Sequence, residues 1–266
     1  MRIALISLNQ AWEDSLTNQN LCSDYLKKAV SDHADVVVFP EMTLTGFSMN
    51  IEAIAEKPSK LTTLSWFSEQ AKMHQLAIVM GYVEQAEDNR GLNRSAYIDA
   101  TGTVLCNYVK IHPFSYSKET EYYHKGDSLG VCENLSTIFG LTICYDLRFP
   151  QLYQLLSKTC EIIFVIASWP EKRIEHWHTL LRARAIENQV FMVGVNRTGV
   201  EPSGLSYTHS SCVYNPFGDK IAPVSSSEGY DLVELSLSDV QKIRESYPFR
   251  HDRRDNLYRV LEAEMK

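Results

Sequence analysis

Ala34-Asp35-Val36-Val37-Val38-Phe39-Pro40-Glu41 is an apolar, β-branched run that stops at a proline and delivers a carboxylate. Such a run reads as a strand with no polar alternation, which means cover on both faces. Ile162-Ile163-Phe164-Val165 reads the same way. Outward from these two runs, strands and helices alternate. Ile3 to Leu8 is a strand, and Leu16 to Val30 a helix with Leu21, Tyr25, Leu26 and Ala29 at helical spacing. Leu61 to His74 is a second helix and Ala77 to Val83 a third strand. Asn93 to Asp99 and Val104 to Val109 form a hairpin around Thr101-Gly102. The alternation resumes with Thr137 to Cys144, a helix from Pro150 to Ser157, Ile162 to Ala167, a helix from Glu171 to Asn188, and Val190 to Asn196. His209 to Tyr214 and Tyr230 to Leu235 are late strands. Between them lie the turn Asn215-Pro216-Phe217-Gly218 and a loop, Ser225-Ser226-Ser227-Glu228-Gly229. The class is α/β with mixed sheets; the pattern leaves open whether there is one sheet or two.

The 266 residues contain no Pro/Gly/Ser-rich linker or repeat, so one domain, 1–266, is expected. A hydrophobic fraction of 44% supplies a sizeable core. A formal net charge of −7 argues against a nucleic-acid footprint. The clearest basic cluster, Arg250 with Arg253 and Arg254, is diluted by His251, Asp252 and Asp255. No apolar run approaches the roughly 20 residues that span a bilayer, so no membrane partner is expected. Met1-Arg2-Ile3-Ala4-Leu5-Ile6-Ser7-Leu8 reads as a first strand rather than a signal peptide. The six cysteines show no C-x-x-C pair and no metal spacing. Free thiols fit a reducing cytoplasm, the expected location.

Three strands each deliver a chemically competent group at or near an end. Glu41 follows the first run. Lys110 lies in Thr103-Val104-Leu105-Cys106-Asn107-Tyr108-Val109-Lys110-Ile111-His112-Pro113-Phe114, stopped by Pro113. Cys144 lies in Leu141-Thr142-Ile143-Cys144-Tyr145-Asp146-Leu147-Arg148-Phe149-Pro150, between an apolar strand and a polar turn that starts a helix. Alone, a strand-ending Cys is a small hydrophobe, Glu41 a solvated loop acid and Lys110 an edge-strand charge. Together they form a set in which a carboxylate deprotonates a thiol, a lysine stabilises an oxyanion and a thiolate attacks a carbonyl carbon. The polar turn and Lys110 both favour a thiolate at Cys144.

The order Pro40-Glu41, Lys110-Ile111-His112-Pro113-Phe114, Cys144-Tyr145-Asp146-Leu147-Arg148-Phe149-Pro150 is similar to the carbon–nitrogen hydrolase (nitrilase) superfamily, which works with a Glu-Lys-Cys triad. The resemblance runs from Met1 to about Tyr258 and includes Pro40-Glu41-Met42-Thr43-Leu44-Thr45-Gly46-Phe47. Ser168-Trp169-Pro170, Arg173, His176-Trp177 and Arg182-Ala183-Arg184-Ala185-Ile186-Glu187-Asn188-Gln189 resemble the omega-amidase branch. The resemblance implies a four-layer α-β-β-α sandwich with two mixed sheets. It implies hydrolysis of the terminal amide of 2-oxoglutaramate or 2-oxosuccinamate, with ammonia as co-product and no metal or organic cofactor. Cys144 is then the nucleophile, Glu41 the general base, and Lys110 with the Tyr145 backbone N–H the oxyanion site. A second acid is implied at Glu119 rather than Glu121, orienting Lys110 or substrate. The superfamily commonly forms homodimers.

An acidic substrate needs a cationic partner. Arg173 is the first choice, with Arg148 and Arg197 as alternatives. Phe47, Tyr116, Tyr145 and Trp169 are candidate walls. His112 beside Lys110 raises a cysteine–histidine dyad, but the resemblance assigns the base to Glu41 and a structural role to His112. Glu175, His176 and His178 do not share one helix face and carry no metal reading. Rival functions are another superfamily amidase (a deaminated-glutathione, N-carbamoyl amide or nitrile hydrolase), a catalytically idle scaffold, and a thiol redox protein, which would need a resolving cysteine nearby.

Overall fold

The computed structural model describes residues 1–265. Its strands in chain order are β1 (Arg2–Ile6), β2 (Val36–Val38), β3 (Ala77–Gln85), β4 (Gly91–Ile98), β5 (Val104–Val109), β6 (Gly130–Asn134), β7 (Thr137–Ile143), β8 (Ile162–Ala167), β9 (Phe191–Asn196), β10 (Gly199–Val200), β11 (Ser206–Tyr207), β12 (Cys212–Tyr214), β13 (Lys220–Ile221), β14 (Ser225–Ser227) and β15 (Tyr230–Glu234). The helices are α1 (Ser15–Ser31), α2 (Ile51–Ile54), α3 (Thr62–His74), α4 (Glu119–Tyr122), α5 (Pro150–Leu156), α6 (Ile174–Asn188), α7 (Ser238–Ser246) and α8 (Asp255–Glu264). One large sheet has the order β14-β15-β1-β2-β3-β4-β5, the other β13-β12-β9-β8-β7-β6. The pairs β1–β2, β2–β3, β7–β8 and β8–β9 are parallel; the outer pairs are antiparallel.

Period-two alternation assigns each side chain to a layer. Ile3, Leu5, Val36, Val38 and Val79 join Leu141, Ile143, Phe164, Ile166 and Val193 in one core between the sheets. The residues between them, Ala4, Ile6, Val37 and Ile78, face Cys22, Leu26 and Ala29 of α1 and Phe67 and Ala71 of α3. On the far side, Ile163, Val165 and Met192 face Leu152, Tyr153 and Leu156 of α5 and Trp177, Leu181 and Ala185 of α6. The layers are α-β-β-α. Strands sandwiched this way must be apolar on both faces, which is why Val36-Val37-Val38 lacks alternation.

Two local expectations are corrected, and one strand was not read from the sequence. Ser225–Ser227 is an edge strand, β14, paired to Tyr230–Leu232, not a loop. Its serines are polar because it has a partner on one side only. Gly130–Asn134 is a strand, with Cys132 buried and Val131 exposed, that pairs antiparallel with β7. The segment 171–188 opens as a 3-10 turn, Glu171–Arg173, before α6 begins. β1 is completed from far along the chain: it pairs antiparallel with β15, Arg2 opposite Glu234. No described helix is long and apolar enough to cross a membrane.

Glu41 and Cys144 follow the C-terminal ends of the parallel strands β2 and β7, where sites gather in open α/β sheets, while Lys110 follows the antiparallel edge strand β5. The turn after β2 is held by many small bonds. Thr43 N–H donates to Gly81 O at 2.9 Å, and Gly81 N–H to Thr43 Oγ1 at 3.0 Å. Gln10 Nε2 donates to the carbonyls of Glu41, Met42 and Thr43 at 2.8–3.1 Å. The contact with β3 leaves no room for a side chain: a Cβ on Gly81 would lie 2.6 Å from Met42 N and 3.0 Å from Ile166 Cδ1. Gly81→Ala is therefore expected to lower the unfolding free energy by about 1–3 kcal/mol, the usual cost of overpacking, read from the urea midpoint. An unchanged midpoint would mean that the Glu41 turn yields without cost.

Candidate active site

Cys144 is the first residue after β7. Its φ is +45°, a left-handed angle rare outside glycine, and it starts the 3-10 turn Cys144–Arg148. The turn puts the thiol at the sheet edge and leaves the Tyr145 N–H at the start of a turn, where N–H groups lack acceptors within the helix. Sγ lies 3.9 Å from Ser168 O, just beyond β8.

The other groups converge on the same spot from the facing sheet. Lys110, the residue after β5, is fully buried with Glu41 and Glu119. Its Nζ donates to Glu41 Oε1 at 2.9 Å and to Glu119 Oε1 and Oε2 at 3.0 and 2.9 Å. Asn93 of β4 joins the two acids, Nδ2 donating to Glu41 Oε1 at 2.8 Å and Glu119 Oε1 at 3.1 Å. Phe114 N–H also donates to Glu119 Oε2. Glu41 Oε2 accepts the Ser168 N–H at 2.9 Å. Residue Ser168 therefore touches both ends of the set: its N–H the carboxylate of Glu41, its carbonyl the thiol of Cys144.

The charges decide the protonation states. Burial works against the Lys110 ammonium, but Glu119 and Glu41 outweigh it and hold its pKa well above the usual lysine value. Burial, with the charge of Glu41 added, raises the pKa of Glu119 despite Lys110. Burial first and the Glu41 carboxylate second push the Cys144 thiol well above its ordinary value, and Lys110 offsets them only in part. This corrects the expectation of a ready thiolate. The single cation is shared between two carboxylates, so the site as a whole does not favour a further negative charge.

A cavity of about 230 Å³ opens over the thiol. Lys110, Cys144, Tyr145 and Ser168 line its floor, and Phe47, Phe114, Trp169, Arg148, Arg173, Glu201 and Tyr207 line the rest. Arg173 lies over the Phe114 ring at 5.5 Å, and Arg148 over the Trp169 ring at 4.9 Å with Nη2 3.3 Å from His176 Nδ1. Among the described residues neither arginine is in an ion pair with a carboxylate. Glu201 is engaged by Ser203 Oγ at 2.6 Å and Tyr207 OH at 2.9 Å.

Of the sequence candidates, Glu41, Lys110, Glu119 and Cys144 come together, and Tyr145, Phe47, Trp169, Arg148 and Arg173 line the cavity. Glu121 is exposed, apart from this group. Two candidates fall outside it. Tyr116 is 85% exposed and does not line the cavity, although its ring lies against Phe114, ring centroids 5.8 Å apart. Arg197 is fully buried behind the wall, bonded to Thr198 O and Gln10 O and stacked on Tyr207 at 4.7 Å. His112 points its Nδ1 at Asp146, 2.8 Å away. Asn93, Ser168, Glu201 and Tyr207 were not read from the sequence as site residues. Asn93 acts through contacts with residues far along the chain, and no local motif marks it; Ser168 lies in the Ser168-Trp169-Pro170 run, but that run gives no sign of the backbone contacts it makes to Glu41 and Cys144.

The sequence profile of the family described as Carbon-nitrogen hydrolase matches residues 2–245. A 2-oxoglutaramate amidase of Bacillus subtilis (strain 168) is 34% identical over 244 residues, 89% of this chain and 93% of its own. An omega-amidase of Escherichia coli (strain K12) is 31% identical over 253 residues, 95% of this chain and 96% of its own. Among solved structures, a CN-hydrolase superfamily protein of Xanthomonas campestris with an arsenic adduct in its active site is similar at a TM-score of 0.87. It is 29% identical, covering 95% of this chain and 97% of that one.

The raised thiol pKa has a direct readout. Alkylation of Cys144 by iodoacetamide, followed peptide by peptide, is expected to keep accelerating as pH rises through the ordinary thiol value of 9.0. A plateau near neutral pH would reveal a preformed thiolate and reverse the sign of the shift.

Proposed function

The chain belongs to the carbon–nitrogen hydrolase family and is an amidase acting on carbon–nitrogen bonds other than peptide bonds; from that premise we propose that it cleaves the terminal amide of a small dicarboxylic acid monoamide, such as 2-oxoglutaramate or 2-oxosuccinamate. One observation carries the substrate class. The cavity has a reacting end at Cys144 and Lys110, and an arginine, Arg173, without a carboxylate partner among the described residues. A substrate carboxylate would pair with that guanidinium while the amide lies over the thiol. The names of the Bacillus subtilis and Escherichia coli relatives support the same class.

In this reading Glu41 takes the Cys144 proton as sulfur bonds to the amide carbon. A carboxylate acting at the moment of attack suits a thiol whose pKa is raised. The oxyanion forms beside Lys110 Nζ and the Tyr145 N–H. If the two Glu119 oxygens share one N–H, the ammonium keeps one free for the oxyanion. Removal of such a donor typically costs about 3–4 kcal/mol of transition-state stabilisation. Glu41 then passes its proton to the amide nitrogen, the carbon–nitrogen bond breaks and ammonia leaves. Water, losing a proton to Glu41, attacks the thioester. The carbon–sulfur bond breaks, the dicarboxylate leaves and the thiol regains its proton. Glu119 keeps Lys110 charged and aimed.

The same proposal takes 1–266 as one domain working as a homodimer in the cytoplasm. Leu155 on α5 and Ile186 on α6 are exposed apolar residues that suit an interface between copies. Six free cysteines suit a reducing compartment.

Cys144→Ala is expected to abolish ammonia release without unfolding the protein, and the parent to show an acyl mass shift on Cys144 with a slow substrate. Near-normal turnover by the variant would remove the thioester route. Arg173→Ala is expected to lower kcat/KM for 2-oxoglutaramate by about 10- to 150-fold, the scale of one charge-assisted contact. A neutral short-chain amide should be affected far less. An equal fall for both substrates would make Arg173 structural, and a parent that prefers the neutral amide would end the dicarboxylate reading.

A further inference from the structure

One fully buried carboxylate close to the nucleophile takes no part in the mechanism above. Asp146 Oδ2 accepts the Tyr108 hydroxyl at 2.8 Å and the Ile143 N–H at 3.0 Å. Its Oδ1 accepts the His112 N–H at 3.0 Å and lies 2.8 Å from His112 Nδ1. With that ring nitrogen as donor, two bonds fall on each oxygen and the carboxylate is saturated. It lies outside the lining of the cavity and touches no atom that reacts.

The partners are not arbitrary. Tyr108 and His112 lie two residues before and two residues after Lys110. The Tyr108 hydroxyl also accepts the Ile111 N–H at 3.2 Å, and Lys110 N–H donates to Asn93 O at 2.9 Å. Ile143 is the residue before the thiol. Cys144 holds a positive φ, which an L-residue keeps only when its surroundings fix it. His112 is in turn stacked on Phe149, the residue that closes the nucleophile's turn, with centroids 3.7 Å apart and planes 10° apart. Glu41 and Glu119 fix the Lys110 ammonium itself, but they have no hold on the backbone of the Cys144 turn.

We propose that Asp146 is a positioning residue that sets Cys144 against Lys110, by gripping the Ile143 peptide on one side and the Tyr108 and His112 anchors on the other. The inference rests on the roles given above to Cys144 and Lys110. Asp146 ties the end of β7 in one sheet to the end of β5 in the other, at the place where the oxyanion's two donors and the nucleophile must share a geometry. Reaction rates are steep in such distances, while substrate affinity, set elsewhere in the pocket, is not.

The test is Asp146→Asn, which keeps the size and presents N–H groups to donors. In the folded variant kcat is expected to fall about 100-fold, the scale of a misplacement near 1 Å, with KM changed less than about threefold. Cys144 alkylation by iodoacetamide at fixed pH should slow in parallel. Tyr108→Phe keeps the buried ring and removes the bond to Asp146 together with the acceptor of the Ile111 N–H; about a tenfold fall in kcat with KM unchanged is expected, and it carries the test if Asp146→Asn does not fold. The proposal is overturned if the folded variants keep both kcat and alkylation rate within about threefold of the parent, or if KM rises while kcat stands. A parent that releases no ammonia from any amide would end the amidase reading instead, and the alkylation rates alone would still decide the role of Asp146.

Discussion

The buried ammonium of Lys110 between Glu41 and Glu119 is the constraint around which the site is arranged. Three charges withdrawn from water carry a large desolvation cost, offset by their close attraction and by further hydrogen bonds to the carboxylates. Asn93, the Phe114 N–H and the Ser168 N–H supply those bonds. They come from β4, from the loop after β5 and from the end of β8. The cluster therefore fixes the separation of the two sheets at their reactive edge. Removing one carboxylate would leave the other two groups differently charged and poorly satisfied, so loss of activity and loss of stability are coupled there.

That arrangement also sets the division of labour. A lone lysine beside a thiol would stabilise a thiolate at rest. Here two carboxylates claim the lysine first, and burial with the Glu41 charge holds the thiol well above its ordinary pKa. A neutral resting thiol is less exposed to chance oxidation than a thiolate. Arg148 lies over the Trp169 ring and Arg173 over the Phe114 ring, so both cations in the cavity wall are set against aromatic faces rather than against carboxylates.

Much of this was legible in the sequence because its signals are local. Val36-Val37-Val38 and Ile162-Ile163-Phe164-Val165 announce strands covered on both sides, and Glu41, Lys110 and Cys144 each sit where such a strand or its hairpin partner ends. Glu119 was reached through a family resemblance, since a charged loop looks the same whether buried or solvated. What the sequence hid depends on distance across the fold. The polar β14 reads as a loop because an edge strand needs no apolar alternation. Arg197 and Arg173 look alike in sequence, yet one is walled in behind Tyr207 and the other opens on the cavity. The sign of the Cys144 shift depends on how many carboxylates surround one cation, a count only the folded chain makes.

The pairing of β1 with β15 has a consequence for how the molecule comes to exist. The Met1 amino group donates to Leu235 O, a separation of 234 residues along the chain. β1 has one parallel neighbour, β2, soon after it is made, but its other edge stays open through most of synthesis. An unpaired apolar edge of that kind invites pairing with other chains. Closing it also carries the entropic cost of a very long loop, which slows folding more than it weakens the finished structure. The last strand laid against β1 is thus the step on which escape from aggregation depends.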